Sequence, residues 1–202
     1  MKISIITATL NRATDLNETI KSVMEQAHTD IDYIIVDGGS TDNSIEIIEH
    51  WKQLYPNNIR YISQTDNGIY EAINKGIKIA TGDVIGTLHS GDRFYSPNVL
   101  SIIAHTMSDP QINMIYGDVH YVNNSGRIVR KYSSKKFKPE LLKIGIAPPH
   151  PSLFLRKSIF EKYGLYKENY LIGADFELFV RLMLFNNLPG HYLPLDMVEM
   201  ST

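Results

Sequence analysis

Short β-branched apolar runs alternate with segments of helical periodicity over roughly the first 110 residues, and that alternation restricts the fold more than any other feature of the chain. Ile3, Ile5 and Ile6 lead a run to Leu10, Asn11-Arg12 interrupts it, and Leu16, Ile20, Val23 and Ala27 follow at helical spacing. The unit recurs: residues 33–36 form a compact run ending at Asp37, and beyond Gly38-Gly39-Ser40-Thr41-Asp42 the side chains of Ile45, Ile48, Trp51 and Leu54 share one helical face. A third strand is predicted at 59–62, then a polar loop through Gln64, Asp66, Asn67 and Gly68, and a helix burying Ala72, Ile73, Ile77 and Ala80 with Gly82 as its cap. The fourth strand, 84–88, runs into His89-Ser90-Gly91-Asp92, after which Ser96-Pro97 reads as N-cap and first-turn proline for Val99, Leu100, Ile103 and Met107. The pattern predicts the α/β class, with a mostly parallel central sheet flanked by helices. Sheets of that kind gather ligands beyond the C-terminal ends of their strands, which is where residues 9–12, 37–42, 66–68 and 89–92 fall.

Beyond Met114 the pattern changes. Residues 116–122 and 127–132 flank Asn123-Asn124-Ser125-Gly126, a hairpin signal that adds an antiparallel portion to the sheet. Residues 139–144 suggest a short helix, 152–155 a strand and 157–163 a helix ended by Gly164. A last helix, from about Ala174, turns Phe176, Phe179, Val180, Met183 and Leu184 inward. No repeat or linker divides the chain, so a single domain over 1–202 is expected. No finishing element is recognisable before Thr202, and a missing C-terminal extension is one reading of that ending.

Charge narrows the class of partner. Lys+Arg 20 against Asp+Glu 22 leaves a net charge of -2, with no global pull toward nucleic acid, so a small-molecule substrate is expected and a nucleic-acid partner is not. The absence of cysteine excludes a disulfide framework, cysteine-ligated metal and a thiol nucleophile, and fits a cytoplasmic location. The apolar opening is far shorter than the roughly 20 residues of a membrane span. Arg127, Arg130, Lys131, Lys135, Lys136 and Lys138 read as a solvated hairpin and loop, or as the face of a peripheral contact with the inner side of the cytoplasmic membrane.

Three constellations carry chemistry. In the 37–42 segment the paired glycines permit close approach of a ligand, Asp37 can accept hydrogen bonds from a nucleobase imide or a ribose hydroxyl, and Ser40 and Asp42 read as caps of the next helix. Neither the Walker lysine nor Gly-x-Gly-x-x-Gly is present. Asp92 is the candidate ligand for Mg²⁺ or Mn²⁺, hard ions that prefer oxygen and can be completed by diphosphate and water; Ser90-Gly91-Asp92 can equally be an ordinary turn. Asp175 opens the last helix either as a helix-start carboxylate or as a general base, while Glu177 positions substrate or pairs with Arg181 at i,i+4.

Taken in order, SIITATLNR (4–12), VDGGSTD (36–42), QTDNGIYEAINKGIKIATGDVIGTLHSGD (64–92) and HPSLFLRK through GADFELFVRL resemble glycosyltransferase family 2 over residues 3 to about 187. The similarity is to inverting enzymes with the Rossmann-like GT-A fold, and within them to bacterial surface-polysaccharide and colanic-acid-type transferases. The resemblance implies that Thr9, Asn11 and Arg12 rim a nucleotide pocket, that Asp37 contacts uracil, and that Asp66, with Gly68 beside it, holds the base or ribose. It further implies that Asp92 coordinates a divalent ion on the diphosphate and that Asp175 is the general base. Residues to about 112 would then bind the nucleotide-sugar, and about 84–190 the metal and acceptor. His150 and Arg156 fall between the metal and base motifs, where they would orient acceptor or diphosphate; a buried structural His150 is an equal reading. The implied donor is a UDP-sugar and the implied acceptor a saccharide or lipid-linked saccharide. Gly91 stands where the family's metal motif has an acid and His89 where it often has Asn. Gly91 and the abrupt ending motivate one alternative, an inactive nucleotide-sugar-binding or scaffold protein; a sugar nucleotidyltransferase, which shares α/β folds and metal-diphosphate chemistry, is a second, without an evident basic glycine-rich loop near the N-terminus here.

Overall fold

A computed structural model describes residues 1–123 and 125–201. Asn124 of the predicted hairpin turn and Thr202 lie outside the described residues. The first half alternates as the sequence predicts: β1 (Ile3–Thr9), α1 (Ala13–Met24), β2 (Ile31–Asp37), α2 (Ser44–Leu54), β3 (Ile59–Ser63), α3 (Ile69–Ile79) and β4 (Val84–Thr87). These strands pair in parallel in the order β3-β2-β1-β4. Every residue of β1 and β2 is buried, because helices cover both faces. Leu16, Ile20 and Val23 of α1 pack with Ile3, Ile5 and Tyr33 on one face, whereas Ile73 and Ile77 of α3 pack with Ile6 and Ile34 on the other. Successive side chains of one strand thus serve two cores.

The second half extends the same sheet with antiparallel pairs. β8 (Phe154–Arg156) runs antiparallel to β4 and to the start of β6 (Met114–Val122). β7 (Ile128–Tyr132) pairs antiparallel with the end of β6, as the hairpin signal predicts. β9 (His191–Ser201) lies parallel to β6, and β5 (Arg93–Phe94) closes the edge against β9. α4 (Val99–Thr106) and α5 (Lys157–Tyr163) pack around it; α6 (Ala174–Phe179) continues through Val180–Phe185 in wider π-helical turns.

β9 is an element that the sequence pattern does not predict. Its sequence conceals it because Pro194 argues against a strand, yet Pro194 sits between Tyr192 and Asp196, where the register with β6 shifts and no ladder bond is needed. Gly82 is also not a helix cap. α3 ends at Ile79, and a Cβ on Gly82 would come within 2.5 Å of the Ser4 backbone nitrogen, so the glycine serves a close approach of chain to chain. α4 begins at Val99 behind Asn98 rather than at Ser96-Pro97.

Candidate functional site

The ends of β1, β2 and β3 form one rim. Asp37 is fully buried, and its carboxylate accepts the N–H groups of Gly39 and Ser40, both at 3.0 Å, the Ser63 hydroxyl at 2.8 Å and the Ser40 hydroxyl. Those bonds shape the Gly38-Gly39-Ser40 turn. Asn11, at φ 51, takes the Thr41 N–H on its side-chain oxygen at 2.8 Å and donates its own N–H to the Ser40 hydroxyl at 2.8 Å, tying the two loops together. Asp42 and Ser44 hold the backbone of Ala13 and Arg12 in the same way. Asp42 is therefore a tie between loops as well as a turn residue.

Thr9 and Asp66 are different. The Thr9 hydroxyl is buried without a hydrogen-bond partner. It lines a cavity of about 230 Å³ together with Asp66, Gly68 and the apolar Ala8, Leu10, Ile69 and Ala72. Asp66 Oδ1 accepts the Gly68 N–H at 3.1 Å, while Oδ2 lies 2.9 Å from where a Cβ on Gly38 would stand. The missing side chain at Gly38 is what admits that carboxylate. A slot with apolar walls, an unpaired hydroxyl and an acceptor at its edge suits a flat heterocycle with a polar rim.

Asp92 lies nearby after β4, 9% exposed. Burial pushes its carboxyl up to about 7, against the opposing pull of the Ser201 backbone N–H and the positive Arg12. Arg12 pairs with Asp15 at 3.2 Å and passes within 3.3 Å of where a Cβ on Gly91 would sit. With φ at +102, position 91 strains any side chain, so the acid that the family pattern leads one to expect there would sit on an unfavourable backbone. Among the described residues no three His, Asp or Glu side chains converge as a metal cage. Asp92 nevertheless offers the hard oxygen that Mg²⁺ or Mn²⁺ prefers, in a buried position that a cation would relieve. The residues present fit an ion held by one carboxylate and completed by phosphate and water. Asp83 is at the other end of β4, bonded to the Lys2 N–H at 3.0 Å.

Asp175 sits in a ring of aromatic polar groups. Its Oδ1 accepts the Tyr70 hydroxyl at 3.1 Å. Tyr70 stacks on Tyr166 with centroids 6.0 Å apart, and the Tyr166 hydroxyl meets His150 Nε2 at 2.8 Å. His150 in turn stacks on His89 at 5.9 Å. Burial holds both histidines below the ordinary value, His89 to about 3, with the negative Asp175 pulling the other way, so both are neutral at pH 7. His89 Nδ1 is buried without a partner. The sequence reading placed His150 and Asp175 in this region but passed over Tyr70 and Tyr166, which lie in the 64–92 segment and just after α5; no spacing rule connects positions 105 and 9 residues from Asp175.

Arg156, expected to orient acceptor or diphosphate, is elsewhere, and Arg181 makes the pairing with Glu177 that the sequence predicts. Arg156 pairs with Val84, at the end of β4 remote from Asp92, and its guanidinium donates to the carbonyls of Ile112 at 2.9 Å, Met107 at 2.6 Å and Asp109 at 2.9 Å. It anchors the segment after α4 and is too far along the strand to orient substrate. Arg181 pairs with Glu177 at 2.8 Å and donates to the carbonyls of Tyr163, Gly164 and Leu165, so the two are a staple between α6 and the end of α5. In the basic stretch, Lys131 pairs with Asp196 at 2.8 Å and Arg130 lies over the rings of Tyr121 and Tyr132. No helix among the described residues is long and apolar enough to cross a membrane.

Known proteins are similar to this chain. An uncharacterized glycosyltransferase of Nostoc sp. is 31% identical over 171 residues, which are 80% of this chain and 53% of that protein. A PGL/p-HBAD biosynthesis glycosyltransferase of Mycobacterium tuberculosis is 29% identical over 179 residues, covering 88% of this chain and 68% of that one. The chain thus spans about half the length of the first relative and two thirds of the second. Among solved structures, TarS of S. aureus superposes with a TM-score of 0.80 at 16% identity over 100% of this chain and 37% of its own. A mannosyltransferase from Pyrobaculum calidifontis, in complex with GDP-Man and Mn²⁺, superposes with 0.71 at 16% identity over 100% and 56%. At such identities these two establish the fold, the GT-A-like α/β architecture. In sequence, residues 4–164 match the pattern of glycosyl transferase family 2, and the chain belongs to that family.

Proposed function

We propose that the chain transfers a sugar, with inversion, from a nucleotide-sugar, UDP being the favoured nucleotide, to a hydroxyl of a saccharide or lipid-linked saccharide in the building of a bacterial surface polysaccharide. The observation that carries the reading is the unpaired, buried Thr9 hydroxyl in an apolar slot that Asp66 also lines. TarS, a structural neighbour, has been captured in complex with UDP-GlcNAc, and the Pyrobaculum calidifontis neighbour with GDP-Man, so UDP and GDP are both compared below.

In this reading the nucleobase enters the slot between Ile69 and Leu10 and hydrogen bonds to Thr9 and Asp66, while Asp37 and Asn11 keep the loops in shape. Arg12 turns positive charge toward the diphosphate. When bound at Asp92, a divalent ion supplies further positive charge beside the leaving nucleoside diphosphate. Asp175 accepts the proton of the acceptor hydroxyl as its oxygen bonds to the anomeric carbon and the bond to the diphosphate breaks. One displacement of that kind inverts the centre and needs no covalent intermediate. Neutral His89 and His150 beside Asp175 present nitrogen atoms to sugar hydroxyls.

Titration calorimetry with UDP, with Mn²⁺ and again with chelator, and with CDP and GDP for comparison, tests the donor half. Selective binding strengthened by Mn²⁺ is expected. Folded protein that binds none of the three nucleotides refutes the reading, and binding without transfer over broad donor and acceptor panels leaves a nucleotide-sugar-binding protein instead.

A further inference from the structure

Tyr70 joins the donor loop to the base. It is the second residue of α3, two positions after Gly68, whose N–H is held by Asp66. Its side chain is buried, and its hydroxyl makes two bonds to a segment more than 100 residues away: it accepts the Gly173 N–H at 2.9 Å and donates to Asp175 Oδ1 at 3.1 Å. The direction is set by the inventory of groups. A backbone N–H can only donate, so the phenol oxygen receives it, and the one hydroxyl hydrogen is left for the carboxylate. Stacking on Tyr166, itself hydrogen bonded to His150, holds the ring in place.

A general base works only if the oxygen that takes the proton is aimed at the hydroxyl it serves. Asp175 stands at the start of a short helix behind Gly173, with exposed Leu171 and Ile172 before it, and that context alone orients it weakly. We propose that Tyr70 is the positioning residue of Asp175: its hydroxyl fixes Oδ1 and the start of α6 together, and so aims Oδ2 at the acceptor from the same helix that begins at the donor loop. The inference rests on the reading of Asp175 as base. The titratable groups facing Asp175 are Tyr70 from α3, His89 after β4, His150 before β8 and Tyr166 after α5. Of these, Tyr70 is the one hydrogen bonded to it.

Tyr70→Phe removes the hydroxyl and keeps the stacked ring, and Asp175→Asn serves as the reference for the base. Carbon-detected NMR of the aspartate carboxyls, with the Asp175 signal assigned by its loss in Asp175→Asn, reports the surroundings of that carboxylate without turnover; calorimetry follows UDP binding, and UDP release gives kcat and the KM for acceptor. In Tyr70→Phe the Asp175 carboxyl signal is expected to shift, because the hydroxyl that donates to its Oδ1 is gone. We expect kcat to fall about ten-fold and UDP affinity to stay within about two-fold of wild type. Wild-type kcat in Tyr70→Phe overturns the proposal while leaving the base reading intact. Transfer that survives Asp175→Asn overturns the base reading itself. A purely structural role would lower the melting temperature and leave the kcat of the folded enzyme in place.

Discussion

Replacing Gly38 by alanine separates binding from stability at the nucleoside slot. Position 38 does not have the left-handed backbone that excludes a side chain, and its N–H bond to the Thr9 carbonyl at 2.9 Å is unaffected by a methyl group. The new Cβ would stand 2.9 Å from Asp66 Oδ2 and 3.4 Å from its Cγ. Something must move, and the far end of a half-buried carboxylate moves at little cost. Loss of chain freedom in the unfolded state offsets that cost by roughly 0.4–1 kcal/mol, so the net change in stability should stay within about 1 kcal/mol. Binding has no such compensation. If Asp66 accepts a hydrogen bond from the nucleoside, displacing it forfeits about 1.5–3 kcal/mol, the range for a bond to a charged group, or roughly ten-fold to more than a hundred-fold in the UDP dissociation constant. Calorimetry on wild type, Gly38→Ala, Asp66→Ala and the double variant closes the cycle. Because alanine at 66 leaves no carboxylate to displace, adding Gly38→Ala to it should change nothing further. The reasoning fails if Gly38→Ala weakens UDP binding as much on the Asp66→Ala background as on wild type, or if it binds UDP as wild type does while Asp66→Ala does not.

Two further substitutions test the burial of charge. The Asp92 carboxyl is raised to about 7 in the folded chain against the ordinary 3.8, so both states keep the proton below about pH 4; as pH rises toward 7 the unfolded chain ionises first, and the native state is progressively penalised until the penalty levels off. Asp92→Asn removes it, and the variant should gain on wild type between pH 4 and 7, to an upper bound of about 4 kcal/mol; denaturation curves parallel across that range would show that Asp92 is not desolvated. Arg156→Ala strips three carbonyls of a charged donor and should cost about 2–3 kcal/mol in urea denaturation, with UDP binding by the folded fraction unchanged. A selective loss of UDP affinity would return Arg156 to the site.

The parallel half was legible because each of its strands is buried on both faces and each helix on one, so apolar runs and helical spacing are direct images of burial. In the antiparallel half the hairpin at Ser125-Gly126, the short helix at 139–144, the helix at 157–163 and, within two residues, β8 were legible from turn residues, caps and apolar runs. β5 keeps two residues, too few for any periodicity. β9 is eleven residues long but half-exposed over much of its length and broken in register at Pro194, so its partner β6, eighty residues earlier, decides its conformation more than its own composition does.

Site residues divide by a property that sequence does not carry, namely whether a polar group's bonding capacity is already spent. Asp37, Asp66, Asp92 and Asp175 all follow a strand end or open a helix and look alike as letters. In the folded chain Asp37 accepts four internal bonds, and Arg156 and Arg181 donate to carbonyls on every side, so each is committed to holding a loop or a helix end. Asp66 keeps one oxygen toward an apolar slot, Thr9 keeps its hydroxyl unpaired, and Asp92 is buried short of the partners that would hold its charge at ordinary pH. Burying polar groups so incompletely satisfied costs stability that a protein without a ligand would have no reason to forgo. This imbalance, rather than the number of acids at the strand ends, is what supports the proposal that a polar ligand completes the structure at Thr9, Asp66 and Asp92.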